Sequence, residues 1–340
     1  MTAQSDRTAD GSIAAPVLAV KRQRSVAVRA QVVLQNVVWI WLAGLILIFG
    51  ILNPFFLTTS NLQNILVQAT VLGLLGLAQS LVLLVGEIDL SIGAVTGISS
   101  AIGALAIQRL GLPVGLGIII GIGVATMIGF INGLCVTRLK MVSLIESLGM
   151  MITLQGGLLA ISQGNTITDM PGSYNWIGQA TLGGWPLMPV VLLAGFIAMG
   201  FMLRRTILGR SLYATGGNAA AALVAGIRVQ RIKIIAFTLS GFISGIAGHL
   251  LAAWQGAITS DQGNGFLLYA IAAPIIGGVS VFGGRGGTLG ILGGVLLLTV
   301  IHVGLAIVYV PSFYVTMIGG VLIFIAVAVD ALRVNVLGDH

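Results

Sequence analysis

The sequence predicts an all-α, polytopic integral membrane protein of about ten transmembrane helices with both termini in the cytoplasm, and three observations carry that expectation. Of 340 residues, 57% are hydrophobic and 7% charged, against about 45–50% and about 25% in an ordinary soluble domain. So few charges cannot cover a water-soluble globule. Apolar runs of about 20 residues, the length that crosses roughly 30 Å of hydrocarbon, recur along nearly the whole chain. When the connections alternate from a cytoplasmic N-terminus, 15 of the 16 Lys and Arg residues fall inside and only Arg109 falls outside. That asymmetry is the positive-inside signal.

In order, residues 1–35 hold Arg7, Lys21, Arg22, Arg24 and Arg29 among polar residues and read as a cytoplasmic N-terminal tail. The first apolar run, 37–56, exceeds the roughly 7–15 residues of a signal-peptide core, so it reads as an uncleaved span. Further spans are expected at 65–85, 91–108, 114–136, 143–162, 189–203, 234–254, 267–282, 288–308 and 313–329. The membrane domain then covers 36–332, and 333–340 is a cytoplasmic C-terminal tail. Two connections are long. Residues 163–188 lack Lys and Arg but contain Gly164, Pro171, Gly172, Gly183, Gly184 and Pro186, which suits an ordered external loop. Residues 204–233 carry Arg204, Arg205, Arg210, Arg228, Arg231 and Lys233 and form the internal one. The 49 glycines suit helices packed closely through small residues.

Several function classes are disfavoured. The net charge of +7 belongs to residues placed at the inner surface, where membrane lipid rather than nucleic acid is the partner. Cys135 is the single cysteine, so an intrachain disulfide and a cysteine metal cluster are excluded, and it reads as a small packing residue. None of Lys21, Lys140 and Lys233 completes G-x-x-x-x-G-K-[ST], so this chain does not hydrolyse ATP through such a loop. No H-E-x-x-H pattern occurs, and His249, His302 and His340 have no partners at metal-ligand spacing. No metal site and no cofactor are expected in the chain.

Three loop motifs stand out. GGNAAAALVAGI, 216–227, reads as a helix with Asn218 as cap, alanines as body and Gly226 as the left-handed end. About two turns are marginal alone, so this helix needs a surface. Either a partner protein or the membrane face would serve, since Leu223, Val224 and Ile227 can meet headgroups. In GEIDLSIG, Glu87 and Asp89 precede a helix restarting near Ser91, and Asp89 or Ser91 can cap it. The alternative is a gate, with Glu87 or Asp89 pairing Arg138 or Lys140 in one state. FGGRGG, 282–287, reads as a tight reversal or as a hinge. Glu146, one turn inside the fifth span, is an intramembrane acid, with an ion pair to Arg138 or Lys140 as the simple alternative.

Three blocks, GEIDLSIGA (86–94), GGNAAAALVAGIRVQRIKIIAFTLSGFISGIAG (216–248) and IAAPIIGGVSVFGGRGG (271–287), occur in an order that resembles a known family. Over about 40–335 the chain is similar to the permease subunits of bacterial ABC importers for monosaccharides, the ribose-permease type. The resemblance implies a multi-pass protein of the bacterial inner (plasma) membrane. It implies a second permease subunit, as a homodimer or a pair, cytoplasmic ATPase subunits that bind ATP and Mg, and a periplasmic sugar-binding protein. It also implies that Asn218, Ala221, Ala222 and Gly226 form a coupling helix in an ATPase groove, with Arg228 and Arg231 beside it.

A sugar path needs planar hydrogen-bonding groups and an aromatic face. Gln155, Trp254 and Gln255 supply those types, and His249 lies one and a half turns before Trp254. Each reads equally as a helix-to-helix hydrogen bond, or for Trp254 as an interface anchor. The chain departs from the family at Glu87, usually glycine, and Glu146, usually small and apolar. It also lacks the acids usual near Leu267 and Tyr269 and the asparagine usual near His302. Two other classes remain open: an ion-coupled secondary transporter, for which Glu146 alone offers a relay, and a branched-chain amino-acid permease of a related importer class.

Overall fold

The structure, a computed structural model, describes residues 38–337. The expected N-terminal tail and its five basic residues lie outside them, as do residues 338–340. The described helices are α1 (Val38–Leu52), α2 (Thr59–Leu84), α3 (Ile92–Leu110), α4 (Val114–Arg138), α5 (Ser143–Ser162), α6 (Gly172–Gln179), α7 (Met188–Arg205), α8 (Ile207–Gly217), α9 (Ala219–Val224), α10 (Val229–Gln255), α11 (Leu267–Ile276), α12 (Thr288–Ile307) and α13 (Ser312–Leu337). A small hairpin, β1 (Thr181–Leu182) with β2 (Trp185–Pro186), turns through Gly183 and Gly184, both at positive φ. Seven helices, α2, α3, α4, α5, α7, α10 and α12, are long and apolar enough to cross a membrane. The protein is thus an all-α polytopic membrane chain.

The ends of the elements correct several expected boundaries. Asn53 accepts from Phe55 N–H and Pro54 follows, which stops α1 short of residue 56. Thr58 then caps α2, whose first turn begins six residues before the expected span. The expected span 267–282 does not form. Its helix, α11, has ten residues, about 15 Å of rise, or half the hydrocarbon thickness. The apolar run continues past Ile276, but Gly277 leaves the helical region and Gly278 sits at φ +86°, so the backbone turns while the hydropathy does not change. At the other extreme, α13 runs through the expected boundary at 332 to Leu337.

Packing centres on α2, whose Val71, Leu75, Leu81 and Val82 are fully buried. Beside it α10 meets α4 at backbone distance: a Cβ on Gly129 would strike Phe237 and Gly241, and one on Gly241 would strike Ala125. Small residues therefore set this interface, as expected where lipid removes most of the hydrophobic drive between helices. The apolar side chains left outside, such as Ile145, Ile152 and Leu159 of α5 and Leu193 and Ile197 of α7, suit a hydrocarbon solvent.

Hydrogen bonds sort the connections to two ends of the bundle. At one end Gln63 reaches Gly184 O, Ile167 pairs with Ile258, and Gln179 reaches Trp254 O. At the other, Gly284 N–H donates to Leu84 O, Ile88 N–H to Ser143 Oγ, and Tyr213 OH to Gly286 O. This second end carries α8 and α9. Arg138, Lys140, Arg204, Arg205, Arg210, Arg228, Arg231, Lys233 and Arg285 all lie towards it, and Arg109 lies towards the first.

Candidate functional site

The α8–α9 end brings the loop motifs together. Thr206 Oγ1 accepts from Gly209 N–H at 3.1 Å and starts α8 directly after α7. Asn218, extended at φ −158°, breaks the chain between α8 and α9, and its Oδ1 accepts from Ala221 N–H at 2.9 Å. The far end of α9 closes as a Schellman motif. Ile227 N–H reaches Ala222 O, Gly226 N–H reaches Leu223 O, and Gly226 takes φ +84°. Ala222 faces inward and is buried, whereas Ala221 is exposed, as are Leu223 at 65% and Val224 at 91%. Ala222 therefore packs α9 against the bundle, and the outward face of the helix is left to Ala221, Leu223 and Val224. Arg228 and Arg231 are exposed, Arg231 inside the first turn of α10.

A junction of glycines holds this segment to the bundle. Gly216, near the end of α8, meets Leu84 O and Gly284 N so closely that any Cβ would overlap both. A Cβ on Gly283 would strike Gly86 and Gly216 in turn. Gly283 and Gly284, at φ +90° and +71°, adopt backbone that side-chain-bearing residues rarely take. The FGGRGG motif is thus a backbone contact between the α2 end and the α8 end. Its glycines are required by close approach as well as by the turn.

The two carboxylates before α3 have separate partners. Ser91 occupies the cap position but makes no side-chain cap bond. Instead Asp89 Oδ1 accepts from Ser91 N–H at 2.8 Å and Ser91 Oγ–H at 2.6 Å. Asp89 is buried, which pushes its carboxyl up from the ordinary range, while those two bonds and Asn132 pull against the shift. Glu87 pairs with Lys233 of α10. Neither Glu87 nor Asp89 pairs with Arg138 or Lys140, which point outward, and the expected pair between these and Glu146 does not form either. Lys140 sits at φ +56° in the α4–α5 turn.

Comparison with known proteins decides what kind of subunit this is. Residues 61–327 match the family described as branched-chain amino acid transport system / permease component. The chain belongs to this permease family. It is similar to the ribose import permease of Bacillus subtilis strain 168, with 38% identity over 288 residues, 84% of this chain and 89% of that protein. It is 36% identical over 292 residues to the D-allose transport system permease of Escherichia coli strain K12, covering 86% and 90%. The L-arabinose ABC transporter permease of Azospirillum brasilense is 32% identical over 302 residues, covering 86% and 88%. No solved structure matches.

The permease does not gather the four expected path residues. His249 is buried, with Nδ1 bonded to Tyr174 OH at 2.9 Å and its ring packed against Gly103 and Gly121. It ties α6 to α10, α3 and α4, which is the helix-to-helix hydrogen bond that the sequence offered beside a sugar contact. Gln155 Nε2 donates to Asn264 Oδ1 at 2.8 Å, linking α5 to the turn before α11. Trp254 is half-buried beside Gly178, and Gln255 is exposed. Among the described residues no hydrogen bond or ring contact joins any two of the four. Two departures from the family pattern do meet: Tyr269 of α11 and His302 of α12 stack edge to face at 6.0 Å.

Sequence reasoning missed the Glu87–Lys233 pair, the Tyr174–His249 bond and the glycine junction. One signal pointed to the first. A membrane chain with two glutamates and three lysines has few ways to neutralise a partly buried acid.

Proposed function

We propose that this permease forms the path of a monosaccharide or related polyol across the bacterial inner membrane, powered by a separate ATPase subunit supplied with ATP and Mg. In this reading the α8–α9 end faces the cytoplasm, because it carries nearly all the described basic residues. Sugar is favoured over a branched-chain amino acid because the relatives are named for ribose, allose, arabinose and fructose. A periplasmic sugar-binding protein delivers the substrate, and a second copy of the permease completes the path.

The observation that carries the coupling step is the exposed face of α9, Ala221, Leu223 and Val224, seated on the bundle through Ala222 and the glycine junction. An apolar helix tip of two turns that stands out from a loop needs a cover. A groove on the ATPase supplies one. Movement of that groove then passes through α8 to the end of α2 and to the turn before α12, the two elements joined at Gly216. ATP can drive alternation only if these contacts differ in strength between inward-open and outward-open states.

The test is Ala221→Glu in permease reconstituted with its ATPase and binding protein. Copurification of the ATPase and substrate-stimulated hydrolysis should both fall, with the permease still folded. Survival of both at wild-type levels would assign α9 to the membrane surface instead. Uptake driven by an ion gradient without the ATPase would overturn the reading as a whole.

A further inference from the structure

The crossing that α11 leaves half made is completed by a coil. Helix α10 stops at the outer end of the bundle, where Gly256 lies beside Asn175 and Gln179 of α6 and Ile258 pairs with Ile167. Helix α11 finishes at the α8–α9 end, with Gly277 against Gly290 at the start of α12. Between them residues 256–263 run inward and join no helix or ladder beyond that one bridge; a short turn at Asn264–Phe266 then leads into α11.

The depth of this coil is set by its neighbours. A Cβ on Gly93 would strike Gly263 O and one on Gly97 would strike Gln262 O, so the coil lies on α3 at backbone distance. Gln262 Nε2 donates to Ser100 Oγ at 3.2 Å, near the middle of α3. Asn264 Oδ1 accepts from Gln155 Nε2 at 2.8 Å. Gln155 stands about 18 Å of helix rise from the start of α5 at Ser143 and about 10 Å from its end at Ser162. The coil therefore lies within the hydrocarbon thickness, away from both surfaces.

At that depth it has two faces. Gln262 is 4% exposed and both ends of its amide are used, Oε1 accepting Thr259 N–H at 3.3 Å. Thr259, Asp261, Asn264 and Gly265 are exposed, and Asp261 makes no ion pair among the described residues. Lipid is a poor cover for such a face, because a carboxylate without a cation and a primary amide lose water there and gain nothing. Irregular backbone persists at membrane depth only where protein buries it or a water-filled cavity borders it. One face of this coil is buried, and the other requires water.

We propose that residues 256–266 are a re-entrant segment lining the aqueous solute path, with Asp261 and Asn264 the groups that meet solute and Gln155 a positioning residue for the Asn264 amide. With Oδ1 held by Gln155, the Asn264 NH2 group is free to donate, and the Asp261 carboxylate accepts, a pairing that suits the hydroxyls of a neutral solute. The same carboxylate repels anions. The assignment rests on the reading of the chain as a sugar permease and narrows it: the path takes free sugars and turns away phosphorylated or carboxylated ones.

Thiol labelling of the full chain in lipid vesicles tests the segment without sugar, ATPase or binding protein, so its result is separate from that of the transport reading. In a Cys135→Ala background, Gly265→Cys places a side chain where nothing lies within 4 Å, and Asn264→Cys is a second reporter in the same turn. Ile197→Cys, exposed midway along α7, is the lipid-facing control. The membrane-impermeant cation trimethylammonium-ethyl methanethiosulfonate, applied to both sides, should modify Gly265→Cys and Asn264→Cys and leave Ile197→Cys unmodified. The anionic sulfonatoethyl analogue should react more slowly at Gly265→Cys, each rate being divided by that with a free thiol in solution. Asp261→Asn should shrink this cation preference at least about threefold. Reporters as silent as Ile197→Cys would place the segment against lipid or a second copy and overturn the proposal. A cation preference unchanged by Asp261→Asn would remove Asp261 from the path and overturn it as well.

Discussion

Tyr174 gives His249 its one hydrogen bond, so Tyr174→Phe leaves both ring nitrogens of a buried imidazole without partners. The expected loss is about 1–3 kcal/mol, read as a lower Tm, with KM for uptake unchanged. A raised KM at constant Tm would return His249 to the substrate path. The Glu87–Lys233 pair behaves differently because its side chains are 15% and 23% exposed. A pair so open to solvent contributes roughly 0–1 kcal/mol, so Glu87→Lys and Lys233→Glu should each move Tm little and impair uptake. Exchanging both charges should restore uptake; failure of the exchange, with each single variant active, would remove the pair from the transport cycle.

At the scale of elements, adjacent alanines of α9 should separate docking from folding. Glutamate has nearly the helix propensity of alanine, within a few tenths of a kcal/mol, so any contrast comes from where each side chain points. Ala221→Glu should keep wild-type Tm and lose ATPase coupling; Ala222→Glu forces a charge into a buried position and should lower Tm. Gly216→Ala should leave the ATPase bound but reduce uptake at least tenfold, because its Cβ pushes α8 off Leu84 and Gly284. Retained uptake, with normal insertion, would mean the junction only supports the fold.

The helices themselves were legible from run length, and the α9 cap from Asn218 and Gly226, because both signals are local. The stop of α11 at Ile276 was not, since hydropathy reports the solvent of a segment and remains high through residue 282. Nor was the true start of α10 at Val229, where Arg231 and Lys233 sit in a helix that leaves the bundle end. Sequence order offers Glu87 only Arg138 or Lys140, around the α4–α5 turn, as a gate partner in one state. Its actual partner lies on a helix late in the chain, and only the packing of α2 against α10 makes the two neighbours.

For the whole molecule, sidedness is the testable quantity. In a Cys135→Ala background, Ser173→Cys should label from the periplasmic side alone and Ala220→Cys from the cytoplasmic side alone. Both positions are exposed at opposite ends of the bundle. The reverse pattern would invert the topology and detach α9 from any cytoplasmic ATPase. Basic residues made this orientation readable without a structure, because each charge is placed by the membrane individually. The relation between the ends is another matter: it depends on contacts such as Gly284 N–H to Leu84 O, between residues of the last and first thirds of the chain.

That contact also dictates an order of assembly. The ribosome releases α9 before it has made Gly283 and Gly284, so on the growing chain the helix has its cap and its alanines but nothing to brace it against α2. The joint that ties α8 and α9 to the end of α2 is therefore completed late in translation, when the turn before α12 arrives, and a chain truncated ahead of that turn would carry the proposed docking helix without the contact that passes its movement to the bundle.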